Sequence, residues 1–354
     1  MIKRSLCIFA CVSAAACCVP AVGLAASPLT FGRPVTFKPL LEVPDGGPAA
    51  SCPTATLCVA SDGGTRVDVT SDPTGGPRAW SQSTIGSGGF ISGLSCPSPT
   101  LCVAVGQDEN RSGIYVSADP AGGPAVWSFG GLDYGSLFTG VACPSTTLCV
   151  AVDVTGQVLT SADPLAGPAG WTSGTIDAGH DIVGVSCPSA RLCVAADLGG
   201  AIFASTDPSA GAGTWHRTRR PGKGRLLSQI SCPTPHFCVA VGDGIVTSVD
   251  PTGGNRAWHQ IPEPHVNTQD RGLTGIACRS RQLCVADDET GLVFVSTHPT
   301  GGVGAWHVRR IHRLPRVFAD TQVWFAHSRS PLCLVVDQRG WIVVGHAPRR
   351  RHHS

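Results

Sequence analysis

The sequence predicts an all-β fold, a seven-bladed β-propeller of four-stranded antiparallel blades whose ring is closed by an N-terminal strand. Three observations lead there. One phrase recurs seven times at intervals of 44 to 49 residues, each interval holds short alternating runs bounded by turn residues, and the two ends of the chain each carry part of one repeat. Helical repeats would need apolar residues at helical spacing over useful lengths, and the chain has none.

The phrase is Ser-Cys-Pro-x-x-x-Leu-Cys-Val-Ala with small changes. Its first cysteine stands at Cys52, Cys96, Cys143, Cys187, Cys232 and Cys278, and in the seventh copy His327 takes that slot while Cys333 takes the second. The end of each phrase opens an alternating strand such as Leu101-Cys102-Val103-Ala104-Val105, which leads to a turn rich in Asp and Gly and another strand. Then follow Ser/Thr-x-Asp-Pro, a Gly-rich stretch and a Trp that opens a fourth strand. The Asp slot is filled by Asp72, Asp119, Asp163, Asp207, Asp250 and, in the sixth copy, His298. The tryptophans are Trp80, Trp127, Trp171, Trp215, Trp258 and Trp306. Four short strands per repeat of this length make a propeller blade.

The ends complete each other. The seventh copy stops near Trp341 to Val344 with no Asp slot and no fourth strand. An extra strand-like piece, Leu29 to Phe37, precedes the first phrase, with Phe31 as far before Cys52 as Trp306 is before His327. That piece is expected to supply the missing outer strand of the last blade and so remove the open edges.

Twelve of the 17 cysteines form six Cys-x5-Cys pairs: Cys52 with Cys58, Cys96 with Cys102, Cys143 with Cys149, Cys187 with Cys193, Cys232 with Cys238 and Cys278 with Cys284. Five intervening residues suit a hairpin that sets the two sulfurs opposite each other, which predicts six disulfides within single blades. Zinc prefers shorter spacing with a further His or Cys pair, so no metal site is expected. Cys333 is left over, as a buried thiol or an intermolecular link.

The Ser/Thr-x-Asp-Pro…Gly…Trp phrase, from Thr70 to Trp306, resembles the Asp box of the BNR-like propellers, a superfamily that includes sialidases and photosystem II assembly-factor propellers. It departs from the usual box, because Pro follows Asp and the stretch from Asp to Trp is longer. The resemblance implies a turn device between third and fourth strands, on the face away from an active site. Turn chemistry agrees: Asp accepts nearby amide hydrogens, Pro fixes the turn and Gly permits positive φ. One carboxylate per turn is too few for a dedicated calcium site.

Residues 1–25 read as a secretory signal, with Lys3 and Arg4 ahead of an apolar run from Leu6 to Leu24 and an acceptable cleavage site at Gly23-Leu24-Ala25. An uncleaved anchor is the competing reading. Residues 26–348 form the propeller and 349–354 a basic, disordered tail. The protein is thus expected outside the cell or in its envelope, as a monomer with no membrane span once the signal is removed.

A formal net charge of +2 favours neither nucleic acid nor a membrane surface. Its distribution is lopsided. Residues 26–215 hold six Lys+Arg against 15 Asp+Glu, a balance of −9, and residues from 216 onward hold 18 against nine, a balance of +9. The late connections between blades are the longer and more basic ones, which marks Arg217, Arg219, Arg220, Arg225, His259, Arg271, Arg309, Arg310 and Arg313 as a candidate binding set on the face opposite the Asp slots. An anionic glycan, a teichoic-acid-like polymer or an acidic protein would suit it.

Catalysis has less to stand on. Sialidase chemistry needs an arginine cluster, a Tyr nucleophile with a Glu partner and a further acid, whereas this chain has two tyrosines, Tyr115 and Tyr134, both early, and four glutamates. No Ser-His-Asp phrase, metal-binding helix or phosphate loop is present, and no cofactor is expected. The expected function is that of a secreted or cell-envelope scaffold, non-catalytic, binding a glycan or protein. The alternative is a sialidase-like glycoside hydrolase with a degenerate site. A purely structural or assembly role is the third.

Overall fold

A computed structural model describes residues 29–32, 35–36, 46–132, 136–218, 226–262, 264, 272–288, 292–310, 321–325, 332–337 and 341–346. The expected signal and tail therefore lie outside the described residues, as do Arg219, Arg220, Arg225, Arg271, Arg313 and His327.

The chain forms seven antiparallel sheets, each assembled in simple up-and-down order. Blade two is representative, with strands Gly89–Ser98, Leu101–Asp108, Arg111–Ser117 and Trp127–Gly131 running from the axis outward. The first strands of all seven blades stand side by side around the axis. A second strand such as Leu101 to Val105 is buried at every position, because its two faces are covered by two neighbouring blades. That is why these strands read as continuous apolar runs instead of alternating. The core is accordingly seven clusters between blades, among them Val150, Val152 and Val158 of blade three against Phe203 of blade four.

The phrase around each cysteine pair follows from a bulge. In blade two the inner pair runs in register from Gly93↔Val105 to Ser95↔Val103 and resumes at Ser98↔Leu101, with Cys96 and Pro97 in the irregular stretch. Blades three to five shift at the same place, and blade six one residue later, after Cys278↔Cys284. A bulge relieves one residue of its ladder bond, so Pro97, which has no N–H to give, costs nothing there. All six predicted bridges are present within single blades, with Cα atoms 4.0–4.1 Å apart. In blade seven, where His327 replaces the first cysteine, the inner pair runs from Thr321↔Asp337 to Phe325↔Cys333 without a shift. Cys333 is buried and unbridged, and its thiol is pushed up by burial and, secondly, by Asp287.

Ring closure follows the expected route. The N-terminal piece pairs with the third strand of blade seven in two short stretches, Thr30↔His346 with Phe31↔Gly345, and Val35↔Ile342 with Thr36↔Trp341. Blade seven thereby joins both ends of the chain, and Leu29 is buried with Val335 and Val343.

The turn between third and fourth strands shows why its residues recur. Oγ of Thr70, Ser117, Ser161, Ser205, Ser248 and Ser296 accepts the N–H two residues on, from Asp72, Asp119, Asp163, Asp207, Asp250 and His298, at 2.9–3.2 Å. The same Ser/Thr lies directly opposite the Trp that opens the outer strand, as in Ser248↔Trp258. A Gly at positive φ then turns the chain into a short 3-10 segment, as at Gly254 with φ 73°. Ser248→Ala leaves the Asp250 N–H without its acceptor and is expected to cost about 1 kcal/mol, read as a lower urea midpoint at constant slope. An unchanged midpoint would assign the turn to Pro and Gly alone.

Candidate functional site

Up-and-down blades divide their turns between two faces. The cysteine hairpins and Asp-slot turns lie on one, the second-to-third-strand turns and the connections between blades on the other.

On the first face the Asp side chains serve their own turns. Oδ1 of Asp72 accepts Thr74 N–H and Oγ1–H at 3.2 and 3.0 Å, Oδ1 of Asp250 accepts Thr252 Oγ1–H at 3.0 Å, and Oδ1 of Asp207 accepts Ser209 Oγ–H at 2.6 Å. His298 has no carboxylate, yet its turn closes through the same backbone bond, Gly301 N–H to His298 O at 2.8 Å. Among the described residues no three His, Cys, Asp or Glu gather as a metal would require.

The opposite face carries a second turn device that the sequence reading noted only as a turn rich in Asp and Gly. An Asp ends the second strand in several blades and accepts amides across the turn. Oδ1 of Asp153 takes Thr155 N–H, Thr155 Oγ1–H and Gln157 N–H at 2.9–3.0 Å, and Oδ1 of Asp288 takes Leu292 N–H at 2.9 Å. Asp62 does the same for Gly64 and pairs with Arg66. These carboxylates are buried by fold-building work, so they offer little to a ligand. Three exposed leucines, Leu137, Leu198 and Leu226, lie on this face, and the Leu227 N–H reaches Leu198 O across two blades at 3.2 Å.

The described members of the cationic set stand on outer strands, at the rim of the disc, instead of in the connections. Arg217 lies in Trp215–Thr218, His259 in Trp258–Ile261, and Arg309 with Arg310 in Trp306–Arg310. Arg217 is engaged within the fold. Its Nη1 is 3.5 Å from Oδ1 of Asp177, which His180 also approaches at 3.4 Å, and its guanidinium lies 5.6 Å from the Phe203 ring centre. Charge lets it cover the outer end of the interface between blades three and four. His259 and Arg309 are exposed, and Nη1 of Arg309 turns back to Val308 O at 2.9 Å. The outer strands of blades one to three, Trp80–Thr84, Trp127–Gly131 and Trp171–Thr175, carry no cation, so the rim is basic on one side.

Along the axis runs a cavity of about 800 Å³. It is bounded by inner-strand residues of every blade, among them Ser95, Thr139, Gly184, Gln229, Arg279 and Trp324. No Asp, Glu or Tyr is among its described lining residues, so the carboxylate and tyrosine cluster that a hydrolase reading requires is not gathered there. Tyr115 is buried instead, donating its hydroxyl to Gln107 O at 3.0 Å against Phe129. Burial and, secondarily, Asp108 push its phenol up. Tyr134 lies outside the described residues. Sequence reasoning missed Arg279, though a signal existed: it stands where the other five cysteine pairs have Pro.

No family model matches the chain, and no curated protein matches it in sequence. Among solved structures it is similar to "YCF48 bound to D1 peptide", with a TM-score of 0.65 at 14% identity, covering 94% of this chain and 98% of that one. It is also similar to YCF48 from Cyanidioschyzon merolae, with a TM-score of 0.62 at 13% identity, covering 90% of this chain and 99% of that one. At such identities the likeness is one of fold: the whole chain of each neighbour is matched by this propeller.

Proposed function

We propose that this chain is an exported, non-catalytic binding scaffold that engages an anionic glycan or acidic protein through the basic side of its disc. The observation that carries the reading is the arginines on the outer strands of blades four and six, continued by the basic connections that hold Arg219, Arg220, Arg225, Arg271 and Arg313. A field of one sign over a rigid ring steers ligands of the other sign. Six disulfides suit an oxidising compartment, in keeping with export. No helix of the described residues is long and apolar enough to cross a membrane. The similar fold that was solved with a D1 peptide supports a protein or peptide as the partner.

The test is binding of a glutamate-rich peptide and of a sulfated glycan at 20 and 200 mM salt to wild type and to the variant R219S/R220S/R310S/R313S. Binding is expected to weaken steeply with salt, since charges more than about 10 Å apart are screened at 0.1 M. The variant is expected to lose about tenfold in affinity at low salt, with its melting temperature nearly unchanged because exposed charges contribute little to stability. Equal affinity in variant and wild type would return these arginines to solvated surface.

A further inference from the structure

The central cavity combines three features that nothing in the rim explains. First, its walls are strand edges. The inner strand of every blade ends its sheet, so one backbone edge of each lacks a ladder partner and faces the axis. Some of those amides are met by the preceding blade: Oγ of Ser51, Ser95, Ser186 and Ser231 accepts the N–H of Cys96, Cys143, Cys232 and Cys278 at 2.9–3.0 Å. Each of these serines keeps its own hydroxyl proton to donate. Second, Trp324 and Phe325 of blade seven, both half-buried, bring aromatic surface to a described lining that has no other aromatic residue. Third, Arg279 is the one charged residue among the described lining.

Arg279 interrupts a pattern. Pro53, Pro97, Pro144, Pro188 and Pro233 hold its slot in the other bridged blades, which sets a guanidinium beside a partial ring of prolines. Arg279 has an internal contact, but a guanidinium has five N–H donors in a fork that fits a carboxylate through two of them. Attraction between such charges strengthens where water is partly excluded.

We propose that the central cavity receives an extended peptide that presents its C-terminal carboxylate to Arg279, with open strand edges and serine hydroxyls meeting the peptide backbone. A volume of about 800 Å³ falls within the range of ligand sites and admits a few extended residues. Hydrogen bonding of an added extended segment to exposed strand edges is an established recognition mode. This rests on the reading of the chain as a binding scaffold, but not on its basic rim.

The experiment uses the mature protein and two pools of octapeptides of identical sequences, one with free C-terminal carboxylates and one amidated, with retained peptides read by mass spectrometry. Sodium acetate at the same concentration tests whether an isolated small anion suffices. Wild type is expected to retain members of the acid pool at least tenfold over their amides, and acetate not to displace them. R279P restores the residue of the other blades and is expected to fold, while R279Q keeps a polar side chain without the charge. Both are expected to lose the tenfold preference at unchanged melting temperature. Retention of both pools alike, retention of neither, displacement by acetate, or an unaltered preference in R279P and R279Q would each overturn the proposal. Preference kept in the R219S/R220S/R310S/R313S variant but lost in R279P separates this site from the rim, and the converse result defeats the cavity while leaving the rim reading in place.

Discussion

Protein that is unfolded, reduced and alkylated at its twelve bridged cysteines is expected not to regain the propeller at 37 °C. In blades two to six each bridge spans the bulge where the inner and second strands lose register, as between Ser95 and Ser98 in blade two, so it holds a hairpin where backbone pairing is interrupted. A short loop of this kind contributes about 2 kcal/mol. Six of them together are of the same order as the roughly 5–15 kcal/mol that separates a folded domain from its unfolded ensemble. Because Cys58, Cys102, Cys149, Cys193, Cys238 and Cys284 are fully buried, reductant added to the native protein is expected to act slowly, which is why the chain must first be unfolded. The check is calorimetry and near-ultraviolet circular dichroism of refolded, alkylated protein beside the oxidised form. A cooperative transition within about 5 °C of the oxidised protein would sink the expectation, since a domain of about 320 residues moves roughly 1.5 °C per kcal/mol.

The fold was legible because the repeat phrase records backbone needs. A Ser or Thr must accept the Asp-slot N–H, a Gly must take positive φ before the 3-10 segment, and Pro fits only where the bulge excuses its missing N–H. Six copies of the turn demands and five of the proline make the period plain, and counting back from His327 places the closing strand. The site was less legible, for reasons that are also physical. An outer strand such as Trp80–Thr84 buries its Trp and little else, so it carries no alternation by which strand could be told from connection. By sequence alone Arg217, His259 and Arg309 therefore fall in connections, whereas the structure puts them on the rim. Counting charges along the chain misleads as well. Asp62, Asp68, Asp153, Asp177 and Asp197 belong to the acidic half by sequence but are buried, so the surface of that half is less acidic than its balance of −9. Arg217 and the Asp177 it meets cancel each other across blades three and four.

Replacing Asp68 by Asn is expected to stabilise the protein above pH 7 and to have little effect near pH 4. Asp68 sits in the third strand of blade one, 2% exposed, opposite Ala60 and Gln82. Val67 and Val69 beside it face blade two, so by strand alternation Asp68 faces blade seven, where Leu334, Val336, Ile342 and Val344 pack with Ala60. In the other blades its slot is filled by Tyr115, Leu159, Phe203, Val246, Phe294 and Val343. A carboxylate in this apolar seam, the one that closes the ring, is raised to about 7, first by burial and then by Asp62, against the opposing pull of Arg66 and a hydrogen bond from Gln82. A carboxyl whose folded value lies above its unfolded one holds its proton more tightly when folded. Stability from this group is therefore greatest below the ordinary value of 3.8, falls as pH rises to about 7, and stays at its minimum above that. At 1.36 kcal/mol per pH unit the span corresponds to as much as about 4 kcal/mol, of which relaxation and water at the seam leave about half. Asn keeps the contact with Gln82 and removes the ionisation. Urea unfolding of wild type and D68N at pH 5, 6, 7 and 8 is expected to show the two curves diverging with pH, the variant flatter and higher at pH 8. Parallel curves, or a wild type that gains on the variant as pH rises, would show that Asp68 is ionised and well solvated at the seam. D68L, which restores the apolar filling of the other blades, tests the same point with packing in place of hydrogen bonding. It is expected to exceed wild type at pH 8 provided the slot beside Leu334 and Ile342 accepts its volume, and D68V offers a smaller fill if it does not.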